Sequence, residues 1–242
     1  MIKSTVIAIL GPNGAGKTSV AFELARRING EVINLDKVYI YKHFPTSTGL
    51  ADTLKERGVA RHLYEFLEPN QNIITPDKYV EMVKEQCAEI VSRGKTPIIE
   101  GGSTTYGPAF LNVNAKDKFC RYIIGLRIDN TLDRKEKFRK RIEGALKGGL
   151  LGEVKNGLEN YSNSLIMQDA HFIVPMAQYL RGEIELEEAK KKVVVRCLKY
   201  AEEQLKIFSK YPEIVWLKHQ PGEKIQTVKR IISMTESKNQ PE

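Results

Sequence analysis

The sequence contains little cysteine and no long apolar run, and each shortage excludes a class of protein. Cys87, Cys120 and Cys197 are odd in number and far apart, which excludes a disulfide framework and a CxxC metal site. Such sparse cysteine is typical of proteins from a reducing cytosol. No apolar stretch approaches the ~20 residues that a membrane-spanning helix needs. The first strand-like run starts at Thr5, which leaves no room for a leader peptide, so we expect a cytoplasmic protein that does not enter a membrane.

Positive charge is in excess, because 38 Lys and Arg residues against 30 Asp and Glu residues give a formal net charge of +8. A basic surface attracts polyanions, so tRNA is one candidate partner. Much of the excess, however, lies in two short clusters, residues 134–141 and 190–192, as on the solvated face of a helix. A site for phosphorylated small molecules needs positive charge as well, and tRNA is therefore the less favoured partner.

The length of 242 residues and the order of strand and helix patterns predict one compact unit. Continuous apolar runs are typical of buried parallel strands, and segments with helical spacing lie between them. The expected strands span residues 5–10, 31–35, 96–100, 121–128 and 215–217. The expected helices span residues 18–28, 76–93, 133–146, 151–159, 173–180 and 186–209. This order predicts an α/β fold with a parallel sheet, followed by a mainly helical region in residues 129–242 that completes the site.

Residues 11–18 read G-P-N-G-A-G-K-T, a complete G-x-x-x-x-G-K-T phosphate-binding loop between a strand and a helix. In such a loop the backbone N–H groups and the helix N-terminus surround phosphate oxygens. Lys17 reaches the terminal phosphate, and the Thr18 hydroxyl is a ligand for Mg²⁺. The candidate phosphate ligands are Gly11, Asn13, Gly14, Ala15, Gly16, Lys17 and Thr18. Residues 1–128 are thus predicted to form a P-loop NTPase-like α/β core.

Two strand ends supply further polar groups beside this loop. The strand at 96–100 continues into E-G-G-S-T at residues 100–104 and does not end in the Walker-B Asp of an ATP-driven motor. Gly102 permits close approach to a ligand, and Ser103 and Thr104 supply hydroxyl groups, although an ordinary strand-to-helix turn is the alternative. The second strand ends at Asp36, at the sheet edge where ligands bind in such folds. Asp36 is either a base toward a substrate or a cap for the next segment.

The order of several motifs resembles the isopentenyltransferases that modify adenine. After the phosphate loop come N-L-D-K-V-Y at 34–39, T-S-T-G at 46–49, G-V-A-R-H-L-Y-E-F-L-E-P at 58–69 and G-K-T-P-I-I-E-G-G-S-T at 94–104. The likeness continues more thinly through Arg141 and through residues 148–154 and 179–184. A phosphate loop alone is shared with kinases and ATPases, so the segment 94–104 is the discriminating part.

The family that this sequence resembles has two branches. Members that act on tRNA carry an inserted helical domain after the Gly-Gly segment, whereas only residues 103–120 separate Gly102 from the next predicted strand here. The shorter branch makes cytokinins from free adenine nucleotides, and its bacterial members favour AMP. The resemblance therefore implies an adenylate dimethylallyltransferase of the bacterial cytokinin-synthesis type. It implies dimethylallyl diphosphate as donor, AMP as the most favoured acceptor and Mg²⁺ as cofactor.

Residue roles follow from the same resemblance. Asp36 corresponds to the carboxylate that takes the proton of the adenine amino group, and Arg141 corresponds to an arginine that contacts diphosphate together with Lys17. Arg141 is otherwise one more solvated charge of a basic helix. The remaining diphosphate-binding candidates are Ser103, Thr104 and Tyr200, the last of which is otherwise a core residue. The nucleotide-binding candidates are Asp36, Thr48, Gly102 and Asp169. Asn13 departs from the Thr that is usual in the family. Because Asn can still donate and accept hydrogen bonds, we expect it to adjust phosphate binding by the loop more than to abolish it.

Three alternatives stay open at this point. A small-molecule kinase of zeta-toxin-like type shares the phosphate loop, but it does not explain the segment 94–104. A tRNA adenosine dimethylallyltransferase without the insertion agrees with the basic charge. A nucleotide-binding module that has lost catalysis is suggested by Asn13, although Lys17 and Asp36 are retained.

Overall fold

A six-stranded parallel sheet forms the centre of the computed structural model, which describes residues 4–51, 58–113, 119–128, 130–220 and 222–237. The strands are β1 (Ser4–Leu10), β2 (Gly30–Asn34), β3 (Arg61–His62), β4 (Thr96–Gly101), β5 (Phe119–Arg127) and β6 (Val215–Lys218). Their spatial order is β3-β2-β4-β1-β5-β6, and every pair within it is parallel. The predicted α/β fold class is therefore confirmed.

Ten helices surround this sheet in the described part of the chain. The first five are α1 (Lys17–Arg27), α2 (Pro45–Thr48), α3 (Pro76–Ser92), α4 (Tyr106–Leu111) and α5 (Thr131–Lys147). The others are α6 (Leu150–Asn160), α7 (Leu165–Asp169), α8 (Ile173–Leu180), α9 (Leu186–Phe208) and α10 (Lys224–Ser237). None of them, within the described ranges, is long and apolar enough to span a lipid bilayer.

The strand β1 explains how the sheet is held between two layers of helices. Side chains alternate between the faces of a strand, so Ile7 and Ile9 face one layer and Ala8 and Leu10 face the other. The Ile7 side packs against buried residues of α1 and α10, and the Leu10 side packs against α3, α4, α5 and α9. Burying each large aliphatic side chain stabilises the fold by about 1.5–3 kcal/mol. A continuous apolar run is therefore what the central strand of this sheet requires.

The end of the chain returns to the α/β core. The strand β6 pairs with β5, and Val228 and Ile231 of α10 lie in the same buried cluster as Leu24 of α1. The core is therefore built from both predicted regions, because β6 and α10 belong to residues 129–242. The segment between them and β5, helices α5 to α9, is helical as expected.

The register of the strands determines which residues share the functional edge. Leu10 of β1 pairs with Gly101 of β4, and the Leu35 N–H donates to the Glu100 carbonyl at 2.7 Å. The chain leaves β1, β2 and β4 at this same edge. The phosphate loop, Asp36 and the Gly-Gly segment consequently meet there, as parallel α/β sheets require of their carboxyl ends.

A buried carboxylate near the start of β2 stabilises the sheet away from this edge. Glu31, 3% exposed, accepts hydrogen bonds from His62 Nε2, Arg93 Nη2 and Lys95 Nζ, each at 2.7 Å. Burial alone would raise the pKa of Glu31, but the bonds from Lys95, His62 and Arg93 together lower that pKa from 4.5 to about 2. The cluster joins β2, β3 and the turn that precedes β4.

Replacing this carboxylate by an amide, Glu31→Gln, is expected to lower the free energy of unfolding by about 2 kcal/mol at pH 7, because two cationic groups lose their buried partner. The folded-state pKa lies below the unfolded one, so the stabilisation is full above about pH 4.5 and is lost as the pH falls toward 2. Urea unfolding at pH 7 and at pH 3 measures this. The difference between wild type and variant should shrink at pH 3, and Glu68→Gln, at a half-exposed ion pair, should have little effect at either pH.

Candidate active site

Two adjoining cavities open at the carboxyl edge of the sheet. The phosphate cavity, about 230 Å³, is lined by the phosphate loop and by residues of α5. The large cavity, about 320 Å³, is lined by the turn after β2, the segment after β4, the turn between α7 and α8, and α9. Asn13, Tyr39 and Arg141 line both cavities. The two spaces therefore form one continuous site with a phosphate end and a larger end.

The phosphate loop has the conformation that its glycines predict. Gly14 and Gly16 adopt positive φ angles of 78° and 86°, and α1 begins directly after Gly16. Lys17 is buried, and its Nζ donates to the Pro12 carbonyl at 3.0 Å. Burial lowers the pKa of Lys17, while the neighbouring carboxylates of Glu100 and Asp36 raise it. The loop thus presents a helix N-terminus and a desolvated ammonium group to an anion.

A buried carboxylate lies directly beneath this loop. The Thr18 hydroxyl donates to Glu100 Oε2 at 3.0 Å, and the Tyr64 hydroxyl donates to Glu100 Oε1 at 2.9 Å. Burial raises the pKa of Glu100, and the Lys17 charge lowers it. Sequence reasoning omitted Glu100, although it ends the strand next to β1, where the Walker-B carboxylate of an ATPase would stand.

The oxygens of Thr18 and Glu100 suit a hard cation such as Mg²⁺, which takes one or two protein oxygens together with substrate phosphates. Among the described residues, no group of three His, Cys, Asp or Glu side chains could hold a metal without such a substrate. The donor set therefore fits a Mg²⁺ that arrives with a phosphorylated ligand and binds through Thr18.

Asp36 caps the turn after β2, which is one of the two roles that its sequence position suggests. Its Oδ1 accepts the Val38 N–H at 3.1 Å, so it caps the following turn, and its own N–H donates to Asn34 Oδ1 at 2.7 Å. The same carboxylate lines the large cavity. Its negative charge also raises the pKa values of Lys17 and Tyr200. Asp36 is thus a carboxylate that an Asx turn holds in the wall of the large cavity.

Arg141 of α5 lies at the junction of the two cavities and not on a solvated helix face. Its Nη2 donates to the Thr48 carbonyl at 2.6 Å, and its guanidinium group lies over the Phe172 ring at 5.3 Å from the centroid. Gly49 has a φ of 83°, and a Cβ there would overlap the guanidinium group. The short helix α2 is in turn held by Glu153, which accepts the backbone N–H groups of Thr46 and Ser47 at 2.8 Å each.

The other predicted site residues are divided between the cavity walls and the support behind them. Most of them line the large cavity, and these are Thr48, Ser103, Thr104, Asp169 and Tyr200. Ser103, Thr104 and Tyr200 thus lie with the nucleotide-binding candidates and away from the phosphate cavity. Asp169 Oδ2 is 3.9 Å from Lys37 Nζ. Burial raises the pKa of the Tyr200 hydroxyl, and the neighbouring Thr104 lowers it in part.

Three glycine or alanine positions predicted to bind ligand lie behind the walls of both cavities, namely Gly11, Ala15 and Gly102. The space at Gly102 is taken by protein, because a Cβ there would lie 2.6 Å from the Gly11 carbonyl oxygen. Gly102 therefore permits a close approach of two backbone segments, which is a correction to the expected close approach of a ligand.

With this geometry in view, the comparisons identify the family. Residues 4–205, most of the chain, match the model of the family described as isopentenyl transferase. The chain belongs to the isopentenyl transferase family. It is therefore a prenyltransferase, and the match includes both the phosphate loop and the segment 94–104 that the kinase alternative left unexplained.

Individual relatives of this isopentenyl transferase come from both branches. A tRNA dimethylallyltransferase of Petrotoga mobilis is 26% identical over 298 residues, which cover 94% of this chain and 98% of the relative. Adenylate isopentenyltransferase 7, mitochondrial, of Arabidopsis thaliana is 30% identical over 194 residues, which cover 78% of this chain and 58% of the relative. Most of the similar curated proteins are named tRNA dimethylallyltransferases.

Solved structures share the fold of this isopentenyl transferase. The tRNA delta(2)-isopentenylpyrophosphate transferase from Staphylococcus epidermidis superposes with a TM-score of 0.86 at 20% identity, covering 97% of this chain and 100% of that one. A eukaryotic dimethylallyltransferase acting on tRNA gives a TM-score of 0.84 at 19% identity, covering 98% and 80%.

Several residues of the isopentenyl transferase site were missed by sequence reasoning. Lys137 lines the phosphate cavity and its Nζ donates to the Gly14 carbonyl at 2.7 Å. Tyr39 lines both cavities, and burial raises the pKa of its hydroxyl group. His171 lines the large cavity, and its ring is tilted by 48° to the Tyr200 ring at a centroid distance of 4.5 Å. Burial, and to a smaller extent the charge of Arg196, lowers the pKa of His171 to about 4. Tyr39 stands in a quoted family motif, whereas Lys137 is hidden among the other cations of a basic helix.

The close packing of the Arg141 guanidinium group against Gly49 gives a testable prediction for this isopentenyl transferase. Gly49→Ala is expected to displace the guanidinium group and to lower kcat/KM for prenyl transfer by about 10²-fold, since a displacement of ~1 Å is enough for such a loss. Gly58→Ala is the matched control, because Gly58 has a similar φ of 80° but no atom within 4 Å of the added Cβ. Equal losses in both variants would mean that backbone strain, and not Arg141, is responsible.

Proposed function

We propose that this isopentenyl transferase moves a dimethylallyl group from dimethylallyl diphosphate to the exocyclic amino group of a free adenine nucleotide, with AMP as the favoured acceptor. The observation that best supports this proposal is the arrangement of the two cavities. The phosphate cavity is surrounded by three cationic side chains, Lys17, Lys137 and Arg141, while the large cavity contains Asp36 and two other carboxylates. One end suits a diphosphate and the other suits a nucleophile that must lose a proton.

The phosphate end stabilises the leaving group in this proposal. As the bond between the prenyl C1 carbon and the diphosphate oxygen breaks, negative charge develops on that oxygen. Lys17, Lys137 and the loop N–H groups are fixed around the cavity before the reaction, so they stabilise this charge without reorganisation. A Mg²⁺ held through Thr18 would neutralise part of the diphosphate charge.

The large cavity prepares the acceptor. The amino nitrogen of adenine is a weak nucleophile, because its lone pair is delocalised into the ring. Asp36 accepts the proton that this nitrogen loses while the new N–C bond forms, and the Asx turn with Val38 holds the carboxylate in place. Arg141, which lines both cavities, stands between the reacting groups.

Alignment lengths support a free nucleotide as the acceptor. The alignment with the Petrotoga tRNA enzyme runs over 298 positions, whereas this chain has 242 residues, so at least 56 positions belong to the relative alone. The alignment with the Arabidopsis adenylate enzyme runs over 194 positions and covers 78% of this chain, or about 189 residues, so it is nearly free of gaps on this side. The short connection between Gly102 and β5 agrees with the nearly gap-free alignment to the Arabidopsis adenylate enzyme.

Adenosine in tRNA is the second candidate acceptor, and it has support of its own. Most of the similar curated proteins are named tRNA dimethylallyltransferases, and the solved structures with the same fold are named for tRNA. The formal net charge of +8 also suits a polyanionic partner.

One experiment separates the acceptors. The purified protein is incubated with Mg²⁺, dimethylallyl diphosphate and either AMP, ATP or unmodified tRNA, and the products are analysed by mass spectrometry for a gain of C5H8. We expect the gain on AMP. A gain on tRNA alone would assign the protein to the second candidate. Transfer of phosphate from ATP to a small molecule, with no prenylated product, would refute both.

A further inference from the structure

A buried glutamine near the C-terminal end of α9 connects this helix to the phosphate loop and to the Gly-Gly segment. Gln204 Oε1 accepts the Asn13 N–H of the phosphate loop at 2.6 Å, and Gln204 Nε2 donates to the Gly102 carbonyl at 2.6 Å. The residue is 1% exposed and lines neither cavity. Its contacts are with the backbone of the loop and of the Gly-Gly segment, and so it is outside the chemistry described above.

The surroundings of Gly102 indicate how tightly these parts meet. A Cβ at Gly102 would lie 2.5 Å from Gln204 Nε2 and 3.2 Å from Lys17 Nζ. The absence of a side chain at this one position therefore lets the glutamine amide, the start of the loop and the catalytic ammonium group pack together. A change in the orientation of the amide would be transmitted to the loop directly.

We infer that Gln204 is a positioning residue that holds the phosphate loop in its diphosphate-binding shape. A glutamine amide has an acceptor oxygen and a donor NH2 group at the same distance from the helix backbone, and here the oxygen and one N–H of the NH2 group are both used. The bond to the Asn13 N–H fixes the direction of Asn13, which lines both cavities. Without Gln204, the part-buried N–H of Asn13 and the buried carbonyl of Gly102 lose their partners, and the loop moves to find others.

Two variants distinguish the contributions of the two hydrogen bonds that Gln204 makes. Gln204→Leu keeps a similar volume and loses both hydrogen bonds. Gln204→Glu keeps the acceptor for the Asn13 N–H, cannot donate to the Gly102 carbonyl while ionised, and adds a negative charge near the bound anion. Gln86→Leu makes the same chemical change on the surface of α3, where the amide contacts Glu89, and is the matched control.

The measurement is the Kd of inorganic diphosphate with Mg²⁺, by calorimetry, together with the melting temperature of each ligand-free variant. We expect Gln204→Leu to weaken diphosphate binding about tenfold, the size of one well-placed hydrogen bond, and Gln204→Glu to weaken it more. Gln86→Leu should bind as wild type does. In the transfer assay, KM for the prenyl diphosphate should rise while KM for the acceptor stays constant.

The inference rests on the proposed function only in taking diphosphate as the ligand of the phosphate cavity. If the wild-type protein binds diphosphate but transfers no prenyl group, the proposed function is refuted. The Kd values of the Gln204 variants then still test the positioning role of Gln204. Melting temperatures that fall in both Gln204 variants while their Kd values match wild type would overturn the inference, since Gln204 would then only pack the core. Wild type that does not bind diphosphate would overturn it as well.

Discussion

Asp36→Asn is expected to lower kcat for prenyl transfer by about 10²–10⁴-fold, the usual contribution of a general base, with little change in KM for the prenyl diphosphate. The amide oxygen of asparagine still accepts the Val38 N–H that Asp36 Oδ1 accepts at 3.1 Å, so the turn keeps its shape. What disappears is the ability to take the proton from the adenine amino group. Steady-state and single-turnover rates with AMP measure the effect.

A matched variant makes this result specific to the site. Asp77→Asn changes an exposed aspartate in the first turn of α3 and should leave kcat unaltered. Asp36→Ala removes both the base and the cap, so it should also lower the melting temperature. If Asp36→Asn transfers the prenyl group at the wild-type rate, the carboxylate serves only to cap the turn, and another group accepts the proton.

Lys17→Met is expected to lower kcat by about 10²–10³-fold and to weaken diphosphate binding, because it removes a preorganised cation from the leaving group. Methionine has a similar length, so the change isolates the charge. The surroundings make that charge effective, since Lys17 is desolvated and lies near the carboxylates of Glu100 and Asp36. The measurements are single-turnover rates with dimethylallyl diphosphate and inhibition by added diphosphate.

The interpretation of Lys17→Met needs a control for general surface charge. Lys210→Met removes one exposed cation after α9 and should leave both quantities unchanged. Lys17→Arg should recover little activity, because the ammonium group lies 3.0 Å from the Pro12 carbonyl and a guanidinium group is larger. If diphosphate inhibits Lys17→Met as strongly as it inhibits the wild-type protein, the anion binds elsewhere.

Periodicity predicted most of the scaffold because the main elements are long and mainly apolar on their buried sides. The predicted strands at 5–10 and 96–100 became Ser4–Leu10 and Thr96–Gly101, and the helix at 173–180 matches Ile173–Leu180. The helix Pro45–Thr48 and the strand Arg61–His62 were missed, since a few residues carry no measurable period. The helix Lys224–Ser237 was missed despite a helical spacing of Val228, Ile231 and Thr235, all of which are buried.

The sequence by itself determined the phosphate loop and the strand ends around it, because a loop between a strand and a helix depends on neighbours in the chain. Only the tertiary structure decided what supports that loop. Thr18 meets Glu100 across 82 residues, Lys137 meets Gly14 across 123, and Asn13 meets Gln204 across 191. No local pattern encodes such pairs, since their partners are brought together by the sheet register and by helix packing. The family's chemistry can therefore be predicted from short motifs, whereas the residues that hold its reactive groups in place become visible only in the folded chain.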